Sequence, residues 1–266
     1  MSISIVKDGD VTIVAINRPE ARNAVDPETA TALYDAFRAF EADPSARAAI
    51  LTGSDTAFCA GFDLKRAASS IDESWFVDHA IETPADMADD RAGPMGPTRL
   101  RLSKPVIAAV EGPAVAGGME LALWCDLRVM ASDAFMGVYC RRWGVPLIDG
   151  GAIRLPRIVG QGRALDLILT GRKVEAEEAA RIGLADRIAP PGEAMATALT
   201  LAHDIARFPQ ACMRADRSVA HDQWSLPFDA AFAREWRSAA TFREEGVSGA
   251  ARFSGGKGRS GAFDDI

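Results

Sequence analysis

Two glycine-bearing turns have the residue types and spacing to do chemistry. They are Phe58-Cys59-Ala60-Gly61-Phe62-Asp63-Leu64 and Val110-Glu111-Gly112-Pro113-Ala114-Val115-Ala116-Gly117-Gly118-Met119-Glu120-Leu121. In each, an apolar strand-like run passes through small residues into a helical pattern. Backbone N–H groups at such a turn point outward, and the helix dipole behind them makes an anion site. Either turn alone reads as a tight strand-to-helix connection. Two such turns facing one another could hold one oxyanion between two N–H donors, as acyl chemistry requires when a carbonyl becomes an enolate or a tetrahedral anion. Glu120 stands just beyond Gly117, where a carboxylate can also simply cap the helix or pair with its dipole.

Other chemistries lack their residues. There is no GxxxxGK[ST] phosphate loop, and Gly160-Gln161-Gly162-Arg163 does not complete a dinucleotide fingerprint. His79, His203 and His221 are scattered, which supports neither a zinc site nor a histidine-dependent triad, and no GxSxG elbow occurs. Cys59, Cys125, Cys140 and Cys212 form no CxxC pair, which suits a reducing compartment. The net charge of −7 argues against a general nucleic-acid or anionic-membrane surface. MSISIVKDGD lacks the apolar core of a signal peptide and no apolar run reaches spanning length, so a cytoplasmic protein is expected.

The elements that must position the turns are legible. Ile3–Val6 and Val11–Ile16 flank Lys7-Asp8-Gly9-Asp10 and predict a hairpin. Asp26-Pro27-Glu28 predicts a helix start, with N-cap acid, proline in the first turn and an apolar stripe through Ala30, Leu33, Tyr34, Phe37 and Phe40. Ala48–Leu51 and Val106–Val110 read as strands buried on both faces. Strands and helices alternate to about residue 190, which argues for an α/β fold. After Pro190-Pro191-Gly192 the strand signals stop, and helices are predicted over roughly 193–207, 210–222 and 227–245. On the last of these Phe228, Phe232, Trp236, Ala239 and Phe242 share one stripe, which must cover the core or a neighbouring subunit.

Residues 72–90 stand apart. They hold Asp72, Glu73, Asp78, Glu82, Asp86, Asp89 and Asp90 and no Lys or Arg, while the rest of the chain balances at 30 acids against 30 bases. A solvated loop and a lid over a pocket are both open readings of this excursion. It is expected on the acyl side of a ligand or in solvent, away from any phosphates.

Together and in this order, the two turns resemble the crotonase (enoyl-CoA hydratase/isomerase) superfamily, whose patterns read F-x-A-G-x-D-L and N-G-x-x-x-G-G-G-x-E-L-A. The resemblance extends through Arg18-Pro19, Arg22-Asn23-Ala24, Lys104–Val110, Cys125-Asp126-Leu127-Arg128, Leu169-Thr170-Gly171-Arg172, Glu177-Glu178-Ala179 and Gly183-Leu184, nearly the whole chain. It implies a crotonase-like ββα superhelix, a spiral of repeated ββα units, over 1–192, with a C-terminal helical region over 193–266 for trimerisation and site cover. It also implies an acyl-CoA thioester substrate, no metal or redox cofactor beyond the CoA of that substrate, and a homotrimer or dimer of trimers, with no nucleic-acid or membrane partner.

By the same resemblance, the amides of Phe62 and Gly117 form the oxyanion hole. Ala60, Phe62, Asp63, Leu64 and Gly117 meet the CoA portion, and Lys257 and Arg259 match the basic pair that meets its phosphates; a basic tail without a partner is the alternative. Glu120 matches one of the two glutamates that handle protons and water. The second falls on Cys140, a poor replacement because a thiol is a weak acceptor and mostly protonated near neutrality. Asp149 is the nearest substitute, though it matches no catalytic acid of the family. The aryl-CoA dehalogenase branch is set aside because its nucleophilic Asp is Ile148 here. Hydration of a 2-enoyl-CoA is the first expectation. Double-bond isomerisation or other enolate chemistry, such as decarboxylation or thioester hydrolysis, follows closely because one glutamate is missing. A non-catalytic acyl-CoA-binding subunit is the alternative of another class.

Overall fold

The computed structural model describes residues 1–54, 56–82 and 91–261. Asp86, Asp89 and Asp90 of the acidic excursion lie outside the described residues. Two compact units divide the chain at Ala202/His203, later than the expected 192/193 boundary. The first unit keeps the opening turns of α8 (Ala194–Arg207), whose Ala194, Ala198 and Ala202 are buried.

The first unit opens with the antiparallel hairpin β1 (Ile3–Asp8) and β2 (Val11–Ile16), turning at Gly9 with φ +57°. Helix α1 (Pro27–Ala42) follows, and the Asp26 side chain accepts from Thr29 N at 2.8 Å as its cap. Next come β3 (Ala48–Thr52), α2 (Leu64–Ser70), α3 (Glu73–His79), β4 (Val106–Val110), β5 (Pro113–Val115) and α4 (Gly117–Trp124). The unit is completed by β6 (Leu127–Ala131), β7 (Phe135–Gly137), α5 (Gly151–Val159), α6 (Gln161–Thr170), β8 (Lys173–Glu175), α7 (Ala176–Arg181) and β9 (Arg187–Ala189). A six-stranded sheet has the order β1-β2-β3-β4-β6-β9, parallel from β2 onward, and β5-β7-β8 form a second, smaller sheet.

The path between the two sheets repeats. From β4 the chain enters β5 and then α4; from β6 it enters β7 and then reaches α5. The earlier turns follow the same route with single bridges, Val25 with Phe62 and Cys59 with Ala114. Each repeat is therefore strand, short outer strand, helix, as a ββα spiral requires. The strands β3 and β4 are buried along their whole length, which is why they are continuous apolar runs rather than alternating ones.

Several family-like motifs turn out to be braces. Asp126 accepts from Val106 N at 2.8 Å, and the buried Arg128 donates to Leu184 O at 2.8 Å and to Asp186 at 2.7 Å. Arg172 grips both oxygens of Glu178 at 2.7 Å. Two parallel charge-assisted bonds of this kind fix geometry as well as energy.

The second unit holds α9 (Gln210–Asp222), α10 (Phe228–Trp236) and α11 (Val247–Ser254). Glu245 caps the first turn of α9 by accepting from Ala211 N at 2.9 Å and Cys212 N at 2.8 Å. The single helix expected over 227–245 is instead three pieces: α10, a 3₁₀ turn over 237–240 and a π turn over 242–246 that leads into α11. The side chains of its apolar stripe are exposed, where one of the two readings had them buried. Phe228 is 80% exposed and Trp236 75% exposed, with Phe232 and Phe242 also open. Residue spacing predicted the stripe correctly but says nothing about which surface receives it.

Candidate active site

The two turns converge on one cavity of about 640 Å³, lined on one wall by Ala60, Phe62, Ala116, Gly117 and Glu120. Their approach is close. A Cβ on Gly61 (φ +95°) would stand 3.0 Å from Gly117 N and 3.0 Å from the Ala116 methyl, so only glycine fits at this crossing. Ala116 takes φ +53° and ψ −124°, an unfavourable conformation for a residue with a side chain, directly before the first residue of α4.

Neighbouring amides in these turns are committed. Ala60 N donates to Arg22 O, Asp63 N to Val25 O, and Ala116 N to Gly137 O. Among the described residues, the amides of Phe62 and Gly117 donate to no backbone acceptor. Two unshared N–H donors on one cavity wall suit a carbonyl oxygen that gains negative charge.

The first turn is held from below by polar side chains. Asn23 donates to Ala57 O at 2.7 Å, and Arg18 pairs with Asp26 at 2.9 Å and Asp63 at 3.1 Å. Asp63 also caps α2, accepting from Lys65 N and Arg66 N. Its side chain, amide and carbonyl are thus all structural, the carbonyl accepting from Ala67 N at 2.8 Å, and Asp63 does not line the cavity, contrary to the expectation that it meets the CoA portion. Leu64 lines the cavity with its apolar side chain. Cys59 is fully buried beneath, its thiol pushed up to about 12 by desolvation.

Glu120 is 3% exposed and yet lines the cavity. Its Oε1 accepts from Asp149 N at 3.0 Å and Gly151 N at 2.8 Å, at the start of α5. Burial, reinforced by the charge of Asp149, pushes its carboxyl up to about 7, against the two amide bonds and Arg154, which favour the ionised form. A carboxyl in that range can both take and give a proton at neutral pH.

Cys140 and Asp149 also line the cavity, so the structure brings these sequence-selected residues together with Glu120. The Cys140 thiol is pushed up by burial and then by the charge of Glu120. It is a neutral thiol, not a second base. Asp149 is 3% exposed. Its Oδ1 accepts from Met95 N at 3.1 Å and from the Thr98 hydroxyl, while Arg154 donates to Asp149 O at 2.8 Å and Thr98 O at 2.7 Å. Asp149 thus ties the segment 93–98 onto the base of α5. Burial raises its pKa, and the Thr98 hydroxyl is the strongest of the contacts that oppose the rise.

Lys257 and Arg259 belong to the second unit, just beyond α11, where Arg259 lies over the Phe253 ring at 5.8 Å. The described part of the acidic excursion is a short helix, not a solvated loop. Trp75, Phe76 and His79 of α3 line the cavity, with Trp75 and His79 stacked at 4.4 Å, while Asp72, Glu73, Asp78 and Glu82 are exposed. His79, one of the three scattered histidines, is thus part of the cavity wall. Its signal was the i, i+1, i+4 spacing of Trp75, Phe76 and His79, which puts the three rings on one face of a helix. Arg99 is a further lining residue that neither spacing nor resemblance picked out. Among the described residues, no cluster of three His, Cys, Asp or Glu could hold a metal, and no helix is long and apolar enough to cross a membrane.

Comparison with known proteins gives one answer. A family described as "Enoyl-CoA hydratase/isomerase" matches residues 7–248. The enoyl-CoA hydratase EchA19 of Mycobacterium tuberculosis is 38% identical over 86% of this chain and 83% of its own. A putative enoyl-CoA hydratase of Thermus thermophilus is 42% identical over 76% of this chain and 77% of its own. Among solved structures, enoyl-CoA hydratase EchA1 of Mycobacterium marinum superposes with a TM-score of 0.85 at 32% identity, covering 95% of each chain.

Proposed function

The chain belongs to the enoyl-CoA hydratase/isomerase family and has its ββα fold, and from that premise we propose that it adds water to a 2-enoyl-CoA with Glu120 as its lone acid/base. The observation that carries this reading is the position of Glu120. One oxygen is pinned by two amides, and its raised carboxyl lines the same cavity as the unshared amides of Phe62 and Gly117.

One carboxylate is enough for the atoms to balance. Ionised Glu120 takes a proton from water as the water oxygen bonds to C3. The double-bond electrons move to the thioester oxygen, and the Phe62 and Gly117 amides hold the resulting enolate. The enolate then collapses and C2 takes the proton back from Glu120. Positioned acid/base groups typically contribute about 10²- to 10⁴-fold, and each oxyanion donor about 10²- to 10³-fold.

Cys140 favours a second reading. In isomerisation Glu120 takes the C2 proton of a 3-enoyl-CoA and returns it to C4, using the same two amides and no water, so the missing carboxylate costs nothing. The test offers purified protein 2-enoyl-CoA and 3-enoyl-CoA and follows hydration and isomerisation separately. Hydration as the faster reaction supports the first reading; isomerisation without hydration would replace it with the second.

The remaining parts of the reading concern the surroundings. The CoA portion runs past Ala60 and Leu64, and no other cofactor takes part. The open stripe Phe228, Phe232, Trp236 and Phe242 suits burial against further copies of the chain in a trimer or a dimer of trimers, which a solution mass would test. The working compartment is the cytoplasm.

A further inference from the structure

Arg99 ends the 3₁₀ turn Pro97–Arg99 and is the one Lys or Arg among the residues lining the cavity. Its Nε and Nη1 are buried and have no hydrogen-bond partner among the described residues. A guanidinium carries five N–H donors and no acceptor, and buried donors without partners are expensive. Surface arginines avoid that cost by keeping their heads in water. Here two of the three nitrogens are withdrawn from water without a partner, in a residue that lines the cavity.

The location is the reacting end of the cavity. A Cβ on Gly93 would stand 3.4 Å from Arg99 Cγ and 2.6 Å from Asp149 Oδ1, so Arg99 lies beside Asp149. Asp149 in turn donates its amide to Glu120. Asp149 exerts a Coulombic pull on Arg99, while its Oδ1 serves Met95 N and Thr98. The rest of the cavity wall is mostly apolar or aromatic, with Met95, Pro94, Trp75 and Ile148 among its residues. A plain alkyl chain would satisfy that wall and leave the Arg99 donors orphaned.

We propose that Arg99 is a specificity residue for acyl-CoA substrates whose acyl group carries an oxygen acceptor beyond C3, a carboxylate or a ketone, which pairs with the Arg99 guanidinium at the cavity wall. The inference rests on the acyl-CoA reading of the site and adds the class of acyl group. A site built to hydrogen-bond a ligand group rejects the analogue lacking it, because the buried donors then stay unpaired.

The test measures equilibrium binding of saturated acyl-CoAs, which need no turnover. At several chain lengths, matched acyl groups end in a methyl, a methyl ketone or a carboxylate. In the wild-type protein an oxygen-bearing ligand should bind at least about tenfold more tightly than its methyl counterpart at one or more lengths, the size expected for a hydrogen bond to a charged donor. Arg99→Met should abolish that preference while leaving methyl-terminated ligands bound as well or better, and Arg99→Lys should retain part of it. A preference for the carboxylate identifies an anionic acyl group, and a preference for the ketone alone a neutral one. Equal binding of all three by the wild type overturns the inference, as does a preference that survives Arg99→Met. The wild-type comparison stands even if the variants misfold. Failure of every acyl-CoA to bind would overturn the acyl-CoA reading itself, a different result from equal binding.

Discussion

Replacing Glu120 by Gln separates the charge of this side chain from its shape. The glutamine oxygen can accept from Asp149 N and Gly151 N as Oε1 does at 3.0 and 2.8 Å, so the turn before α5 should survive. What is lost is the proton traffic, and kcat for hydration of a 2-enoyl-CoA should fall by about 10²- to 10⁴-fold with little change in KM. Stability should move the other way. The carboxyl rises from 4.5 to about 7 in the folded chain. Between those values the folded state holds a proton that the unfolded state has given up, so stability falls as pH rises through that window. Above it the full cost is present, about 3 kcal/mol at about 1.4 kcal/mol per pH unit. Glu120→Gln removes that cost, so at pH 8 the variant should be up to about 3 kcal/mol more stable than wild type, a gap that shrinks toward pH 5. Steady-state kinetics and urea midpoints at the two pH values measure both effects. In the wild type, kcat/KM should fall as pH drops below about 7, because the ionised form accepts the proton from water. Hydratase activity retained within tenfold would refute the role of Glu120. A stability gap that is absent at pH 8, or larger at pH 5, would refute the burial argument behind its raised pKa.

Further substitutions probe the residues around it. Gly61→Ala forces a Cβ to 3.0 Å from Gly117 N at a φ of +95°, so it should cost about 1–3 kcal/mol in a thermal melt and lower kcat by about 10²-fold as the two amides part; unchanged kinetics would mean the two turns do not act together. Cys140→Ala should leave hydration within about threefold, because a buried neutral thiol handles no proton; a hundredfold loss in the same assay would give the thiol a chemical role. Asp149→Asn keeps an acceptor for Met95 N and Thr98 and should retain hydration within a few-fold, whereas Asp149→Ala frees the 93–98 segment and should cost about 1–3 kcal/mol of stability. A collapse of kcat in Asp149→Asn would make its carboxylate a participant in the chemistry rather than a brace.

Local sequence by itself determined the elements and the two turns. Asp26-Pro27 starts α1, uninterrupted apolar runs become β3 and β4, and small residues at 60–61 and 116–118 let strand pass into helix, because each depends on backbone preference and burial within a few residues. It also named Glu120 and, at the position of the missing second glutamate, Cys140 through recognisable motifs, whereas Asp149 was reached only as the nearest acid along the chain. What it could not reach were quantities set through space. The rise of Glu120 to about 7 comes from burial and from Asp149, far along the chain, and the commitment of Asp149 to Met95 and Thr98 depends on a segment with no motif. Arg99 reads in sequence as one of several basic residues before β4, and only packing strips two of its nitrogens of water and sets the residue on the cavity wall. The apolar stripe of α10 is the converse case, where periodicity marked the face but not its exposure, which residue spacing does not encode. Hydrogen-bond partners, burial and charge proximity are properties of the folded arrangement, and they decide what a side chain of given type can do.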